Sequence, residues 1–180
     1  MNLSYAILGL LSWKPLSGYD LKKIFADSSI LYWSGNNNQI YKALVKLHDE
    51  GWVTQEVHYQ EYLPARKIYN ITEKGLEALK TWVLSTPEVF EFHNTFLIQL
   101  IWADLLSTEE LSALLNQYEE EVQVHFLMQQ EKARRMGPSS ARTLREAYLW
   151  EMAMQNIVSV YENELAWVRQ VREGLLHFSP

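Results

Sequence analysis

The stretch Gly35-Asn36-Asn37-Asn38-Gln39-Ile40-Tyr41-Lys42-Ala43-Leu44 concentrates side chains that can contact nucleic acid. Ile40, Leu44 and Leu47 recur at i, i+4 and i+7, the spacing of a helix that buries one stripe. That phase sends Asn38, Tyr41, Lys42, Val45 and Lys46 to the outer side. The amides of Asn37, Asn38 and Gln39 donate and accept at once, which suits the paired acceptor and donor on the major-groove edge of adenine. Val45 offers a surface for a thymine methyl. Lys42, Lys46 and the Tyr41 hydroxyl suit phosphate oxygens, which position a protein without reading sequence. A plain polar helix face behind an asparagine loop has the same period, so spacing alone does not separate the two. Asn36 or Asn37 is the expected N-cap.

Arg66 and Lys67 follow Pro64 in a second basic group. Beside such a helix they would meet the flanking backbone or minor groove, and on an edge strand they would equally discourage aggregation. Elsewhere the sequence offers little chemistry. The histidines at 48, 58, 93, 125 and 177 form neither H-x-H nor H-E-x-x-H, and no cysteine exists to complete a metal site. His125 shares a stripe with Leu111, Leu115, Tyr118 and Val122 and reads as a packed histidine. There is no Gly-rich phosphate loop and no G-x-S-x-G, and acid runs such as Glu119-Glu120-Glu121 read as solvated. No enzyme, metal or cofactor is expected. Trp82, Phe90, Phe92, Phe96, Trp102, Trp150 and Trp167 could line a cavity for a small aromatic or apolar effector, although core and dimer packing explains such residues more often.

The elements that must hold these groups follow from pattern. Leu3 to Leu11 is an apolar segment that Asn2 can cap, ending at Trp13-Lys14-Pro15. Ser17-Gly18-Tyr19-Asp20 is a variant capping box opening a helix to about Asp27, with Leu21, Ile24 and Phe25 inward. The third helix begins in the asparagine run and stops at Gly51. Residues 52–59 and 66–71 are rich in β-branched and aromatic residues and predict a two-stranded hairpin. Thr72-Glu73-Lys74 caps a fourth helix through about Leu84, and Pro87 marks a boundary.

Beyond it the chain reads as almost all helix. Ser107-Thr108-Glu109-Glu110 is an S-x-x-E box opening a helix to about Arg135, and Met136-Gly137-Pro138-Ser139-Ser140 is a turn. A last helix from about Ala141 to about His177 would be roughly 55 Å long, more than a small domain can cover. Ala147, Met154, Tyr161, Val168 and Leu175 repeat every seven residues, and Leu144, Val158 and Leu165 fill a second heptad position, interrupted by Glu151 and Arg172. With Trp150, Ala153, Ile157, Val160 and Trp167 alongside, the apolar face is wide enough for its own chain and a second copy. Leu144, Met154, Ile157, Tyr161, Leu165 and Val168 are the expected dimer-interface residues.

Composition sets the bounds. With 180 residues and 48% hydrophobic content, the chain can bury a real core in one large or two small domains. Net charge is −6, but the acid is uneven: residues 1–85 hold nine basic against eight acidic residues, and residues 86–180 hold seven against fourteen. Phosphate contact is therefore permitted in the first half. The lack of cysteine fits a reducing cytoplasm, no apolar run approaches about 18 residues, and no secretory signal is read at the start.

Three segments then carry a resemblance: "LGLLSWKPLSGYDLKKIF" (8–25), "QIYKALVKLHDEGWV" (39–53) and "RKIYNITEKG" (66–75). In order and at this spacing they resemble the PadR family of bacterial transcriptional regulators, and the helical second half resembles its longer, virulence-activator-like subfamily. The resemblance implies a mainly α fold with a small β-hairpin: a winged helix-turn-helix DNA-binding domain over 1–85 and a long-helix dimerisation domain over 86–180. It implies a homodimer on a pseudo-palindromic operator in double-stranded DNA, usually repressing and in several members released by an effector. It implies DNA contact at Tyr19, Tyr41, around Asn38-Gln39, and at Lys67. Many members have Pro where this chain has Lys42, and Ser-Pro-Gly-Thr where it has Asn36-Asn37-Asn38-Gln39, so operator sequence does not carry over. The alternative, motivated by net acidity, is a helical interaction module whose winged helix binds protein.

Overall fold

The computed structural model of the chain describes residues 3–31, 38–59, 65–89, 93–135 and 141–178. They divide into two compact units, Met1–Glu88 and Val89–Pro180.

In the first unit, helix α1 (Leu3–Leu11) is apolar almost throughout and buries Ile7, Leu8, Leu10 and Leu11. It packs on both α3 and α4, so it lies at the centre of this core. Pro15 ends that run, and Leu16–Ser17 forms strand β1. Helix α2 (Gly18–Asp27) starts in a complete capping box, the Ser17 hydroxyl accepting from the Asp20 amide and the Asp20 carboxylate accepting from the Ser17 amide. Leu21 and Phe25 are buried and Ile24 half-buried, while Lys22 and Lys23 face solvent.

Helix α3 (Asn38–Asp49) buries Ile40, Leu44 and Leu47. It ends where Gly51 adopts φ 72°, a conformation glycine takes without a Cβ penalty. The Gly51 amide donates to the His48 carbonyl and the Trp52 amide to the Leu47 carbonyl, each at 2.9 Å. This paired closure turns the chain directly into strand β2 (Val53–His58).

Strand β3 (Arg66–Ile71) returns antiparallel to β2, from Val53 opposite Ile71 to His58 opposite Arg66. The expected two-stranded hairpin is in fact a three-stranded sheet of order β1-β3-β2, with Leu16 opposite Tyr69 and Ser17 opposite Ile68. Leu16 and Ser17, one residue after a proline and then the helix cap itself, have no period to read; only the partner strand defines them.

Helix α4 (Glu73–Val83) is bound to the end of α3. Thr72 caps it, accepting from the Gly75 amide, and donates its hydroxyl to the Gly51 carbonyl at 2.8 Å. Lys74 donates to the Glu50 carbonyl at 2.8 Å, as a cation at a helix C-terminus should.

In the second unit, Asn94 caps the seven-residue helix α5 (Thr95–Ile101). A 3₁₀ turn, Ala103–Leu105, leads to the expected Ser107–Glu110 box, whose two hydrogen bonds both form. Helix α6 (Thr108–Arg135) pairs with α7 (Leu144–Leu175), and their contacts run antiparallel from Asn116–Arg172 to His125–Tyr161. Helix α7 starts three residues later than the sequence reading, because Thr143 is the cap, accepting from the Glu146 amide at 3.0 Å. Its 32 residues span about 48 Å, and a 3₁₀ turn, Leu176–Phe178, follows.

Phe96, Leu115 and Val168 form the core of this unit, Phe96 stacking on Tyr118 and meeting Trp167 edge-on. Tyr118 donates to Glu164 at 2.5 Å, and the Asn94 amide donates to both. Burial and the Glu164 hydrogen bond push the Tyr118 phenol up to about 12, so it stays a donor. The caps expected at Asn2 and at Asn36 or Asn37, the Pro64 linker and the 136–140 turn lie outside the described residues.

Candidate nucleic-acid interface

Burial of Ile40, Leu44 and Leu47 fixes the rotation of α3. Asn38, Gln39, Tyr41, Lys42, Val45 and Lys46 are all exposed on its outer side, and Asn37 lies outside the described residues. Lys42 makes no ion pair among the described residues, whereas Lys46 is 3.8 Å from Glu50 one turn on.

Tyr41 is set by its neighbour as much as by its own helix. A Cβ at Gly18 would lie 2.5 Å from Tyr41 Cε1, so the missing side chain is what lets the ring rest on the start of α2. Tyr19 stands next to this contact and is 68% exposed. Behind it Tyr69 is buried. Burial holds its phenol above the ordinary value, with a smaller push from Tyr41.

The sheet carries the second basic group. Lys67 is exposed and makes no ion pair among the described residues. Arg66 is engaged: its guanidinium donates to the Asp20 carboxylate at 2.5 Å and to the Ser17 hydroxyl at 3.2 Å. Burial alone would raise the Asp20 carboxyl. The hydrogen bonds from Ser17 and Arg66, with the charge of Arg66, outweigh it and hold the group below its ordinary value. This link joins residues 46 apart, and no local sequence signal announces it. The structure thus gathers Tyr19, Tyr41 and Arg66 around the start of α2.

The residues expected at a dimer interface divide differently. Met154, Leu165 and Val168 are buried within the second unit, because the first duty of α7 is to cover α6. Ile157 and Tyr161 are half-buried, with Tyr161 stacked on His125, and Leu144 is 91% exposed. Apolar surface remains at Ile98, Ile101, Trp102, Leu127, Leu149 and Val160.

The described members of the aromatic set have separate places within their own units. Trp82 stacks on Tyr5, Phe96 and Trp167 belong to the core, and Trp102 is exposed, while Phe90 and Phe92 lie outside the described residues. Trp150 lines a groove of about 730 Å³ with Ala147, Met154 and Val158 at its apolar floor. Among the described residues, no cluster of three or more His, Asp or Glu side chains could hold a metal ion, and no helix is long and apolar enough to cross a membrane.

A helix packed on a second helix that has an exposed polar face, followed by a β-hairpin and a covering helix, defines the winged helix-turn-helix class. Residues 7–81 match the transcriptional regulator PadR-like family and residues 93–175 match the virulence activator alpha C-terminal family. The chain carries a PadR-like family domain, followed by a C-terminal domain that matches the longer subfamily, and members of the PadR-like family are transcriptional regulators rather than enzymes.

It is 35% identical over 113 residues to the negative transcriptional regulator PadR of Bacillus subtilis, a stretch covering 62% of this chain and 62% of that protein. That is under two thirds of the relative's own length. The crystal structure of Bacillus subtilis PadR with operator DNA superposes with a TM-score of 0.80 at 27% identity, covering 95% of this chain and 97% of the other. The structure of the same protein with p-coumaric acid gives 0.73 at 26% identity, covering 94% and 95%.

Proposed function

We propose that the chain is a sequence-specific DNA-binding regulator, acting as a homodimer on a pseudo-palindromic operator and repressing transcription in the cytoplasm. The observation that carries this reading is the outward face of α3. Ile40, Leu44 and Leu47 anchor it, and Asn38, Gln39, Tyr41, Lys42, Val45 and Lys46 are left exposed together.

In this reading residues 1–85 bind DNA and residues 86–180 dimerise. Asn38 and Gln39 reach base edges, Lys42 and Lys46 bind phosphates, and Tyr19 and Lys67 flank them. A two-fold dimer presents two such helices to half-sites about one helical turn, or a multiple of it, apart. The relative solved with operator DNA supports the DNA partner, and the one named a negative regulator supports repression. The relative solved with p-coumaric acid supports control by a small aromatic acid.

Mobility shifts with the DNA upstream of its own gene, over a salt series, test the reading. The expected result is a complex that forms on this DNA at concentrations where unrelated DNA stays free, and weakens as salt rises. Equal binding to both sequences, or none at low salt, refutes it.

A further inference from the structure

Strand β1 holds β3 at only two positions, Leu16 opposite Tyr69 and Ser17 opposite Ile68. Beyond Ile68 the hairpin runs outward with β2 and β3 paired only to each other. Arg66 lies two residues past that last β1 pairing, on the same strand face as Ile68. There the Asp20 carboxylate takes its guanidinium, while the Ser17 amide and hydroxyl hold the same carboxylate at 2.9 and 2.7 Å. One residue therefore closes the start of α2 and ties down the hairpin beyond its pairing with β1.

We propose that Asp20 is a positioning residue for the wing: its pair with Arg66 fixes the outer hairpin against α2, and so sets the face on which Lys67 is presented. Successive strand residues point to opposite faces, so pinning Arg66 sends Lys67 the other way. Arg66 then acts within the protein, and Lys67 is the wing cation left for phosphate. A hairpin fixed before binding loses less freedom on DNA, which strengthens binding without adding a contact. This consequence rests on the DNA-binding reading; the latch itself does not.

The test uses the full chain. Amide hydrogen exchange is measured on the free protein and on Asp20→Asn, Arg66→Gln and Arg66→Lys. Amides of residues 56–58 and 66–68 should exchange roughly 3–10 times faster in Asp20→Asn and Arg66→Gln, with the α1 amides unchanged and Arg66→Lys between. No acceleration, or the same acceleration in α1, overturns the latch whether or not the protein binds DNA. On DNA, both variants should weaken binding by a similar factor and leave the salt slope unchanged. If Arg66→Gln instead lowers the slope by about one while Asp20→Asn binds normally, Arg66 is a phosphate contact and the proposal fails. If the unmutated protein binds no DNA, that reading fails and the exchange data still decide the latch.

Discussion

Lys42 stands on the outer side of α3 with no ion pair among the described residues. A phosphate contact made by one ammonium has a recognisable signature. Lys42→Ala should weaken binding by a similar factor on cognate and unrelated DNA, and should lower the salt slope by about one. Its exposure predicts a stability change within about 0.5 kcal/mol. Mobility shifts over a salt series, with a urea titration alongside, measure both. A loss confined to cognate DNA would instead make Lys42 a base reader.

Two glycines show how close approach differs from turn geometry. A Cβ at Gly75 would lie 2.2 Å from the Trp52 carbonyl oxygen, a backbone atom that cannot swing aside, whereas at Gly18 the obstacle is the half-exposed Tyr41 ring. Gly75→Ala should therefore destabilise by about 1–3 kcal/mol, even though alanine favours helix. Gly18→Ala should cost less stability but displace Tyr41, so its DNA affinity should fall by more than its unfolding free energy accounts for. Urea unfolding of both variants, with DNA titration of Gly18→Ala, checks this. A Gly75→Ala protein as stable as the parent would contradict the packing argument.

At the scale of elements, the caps are also where pH acts. The folded carboxyl of Asp20 lies below its ordinary value of 3.8, so its stabilisation is fully present above that value and is lost as pH falls through the lowered folded value. Asp20→Asn should thus be less stable than the parent by a constant amount from pH 7 to about 5, and the gap should close as pH drops below about 4. Urea titrations at several pH values measure it. A gap that widens in acid would show that the carboxylate is not the stabilised form.

The same scale shows what the sequence reveals and what it conceals. Helices α2, α3 and α4 and both hairpin strands are legible from their patterns and from a cap or stop, Ser17 with Asp20, Gly51 and Thr72, while α1, apolar almost throughout, is legible from the stop at Pro15 and the helix-length run before it. Helix α5 is not, since Thr95–Ile101 is apolar almost all round and has no polar face to give a phase. Apolar spacing alone puts the start of α7 three residues early, although Thr143-x-x-Glu146 is an N-terminal signal of its own. At the candidate interface, Ile40, Leu44 and Leu47 were enough to fix which side chains of α3 face out. The Asp20–Arg66 pair and the seat of Tyr41 on Gly18 were not legible, because both join segments by tertiary contact alone.

For the whole molecule, the uneven charge makes two proposed equilibria respond to salt in opposite directions. DNA binding releases counterions from phosphates, so it must weaken as salt rises. Dimerisation through residues 86–180 brings together two copies of a segment with seven basic and fourteen acidic residues. Its contact surface, in this reading, is apolar: Leu149, Ala153 and Val160 follow helical spacing on α7, with Leu127 of α6 also exposed. Apolar burial is indifferent to modest salt, while like-charge repulsion between the copies is screened, with a Debye length of about 10 Å at 0.1 M and 3 Å at 1 M. The dimer should therefore be as tight or tighter at 0.5 M salt than at 0.05 M, where DNA affinity has the reverse order. Sedimentation equilibrium of the full chain without DNA, at the two salt concentrations, measures this directly. Leu149→Glu with Val160→Glu should weaken association at both while leaving helix content unchanged, since neither side chain belongs to the buried core. A dimer that dissociates as salt rises would mean that ion pairs, rather than this apolar face, hold the copies together.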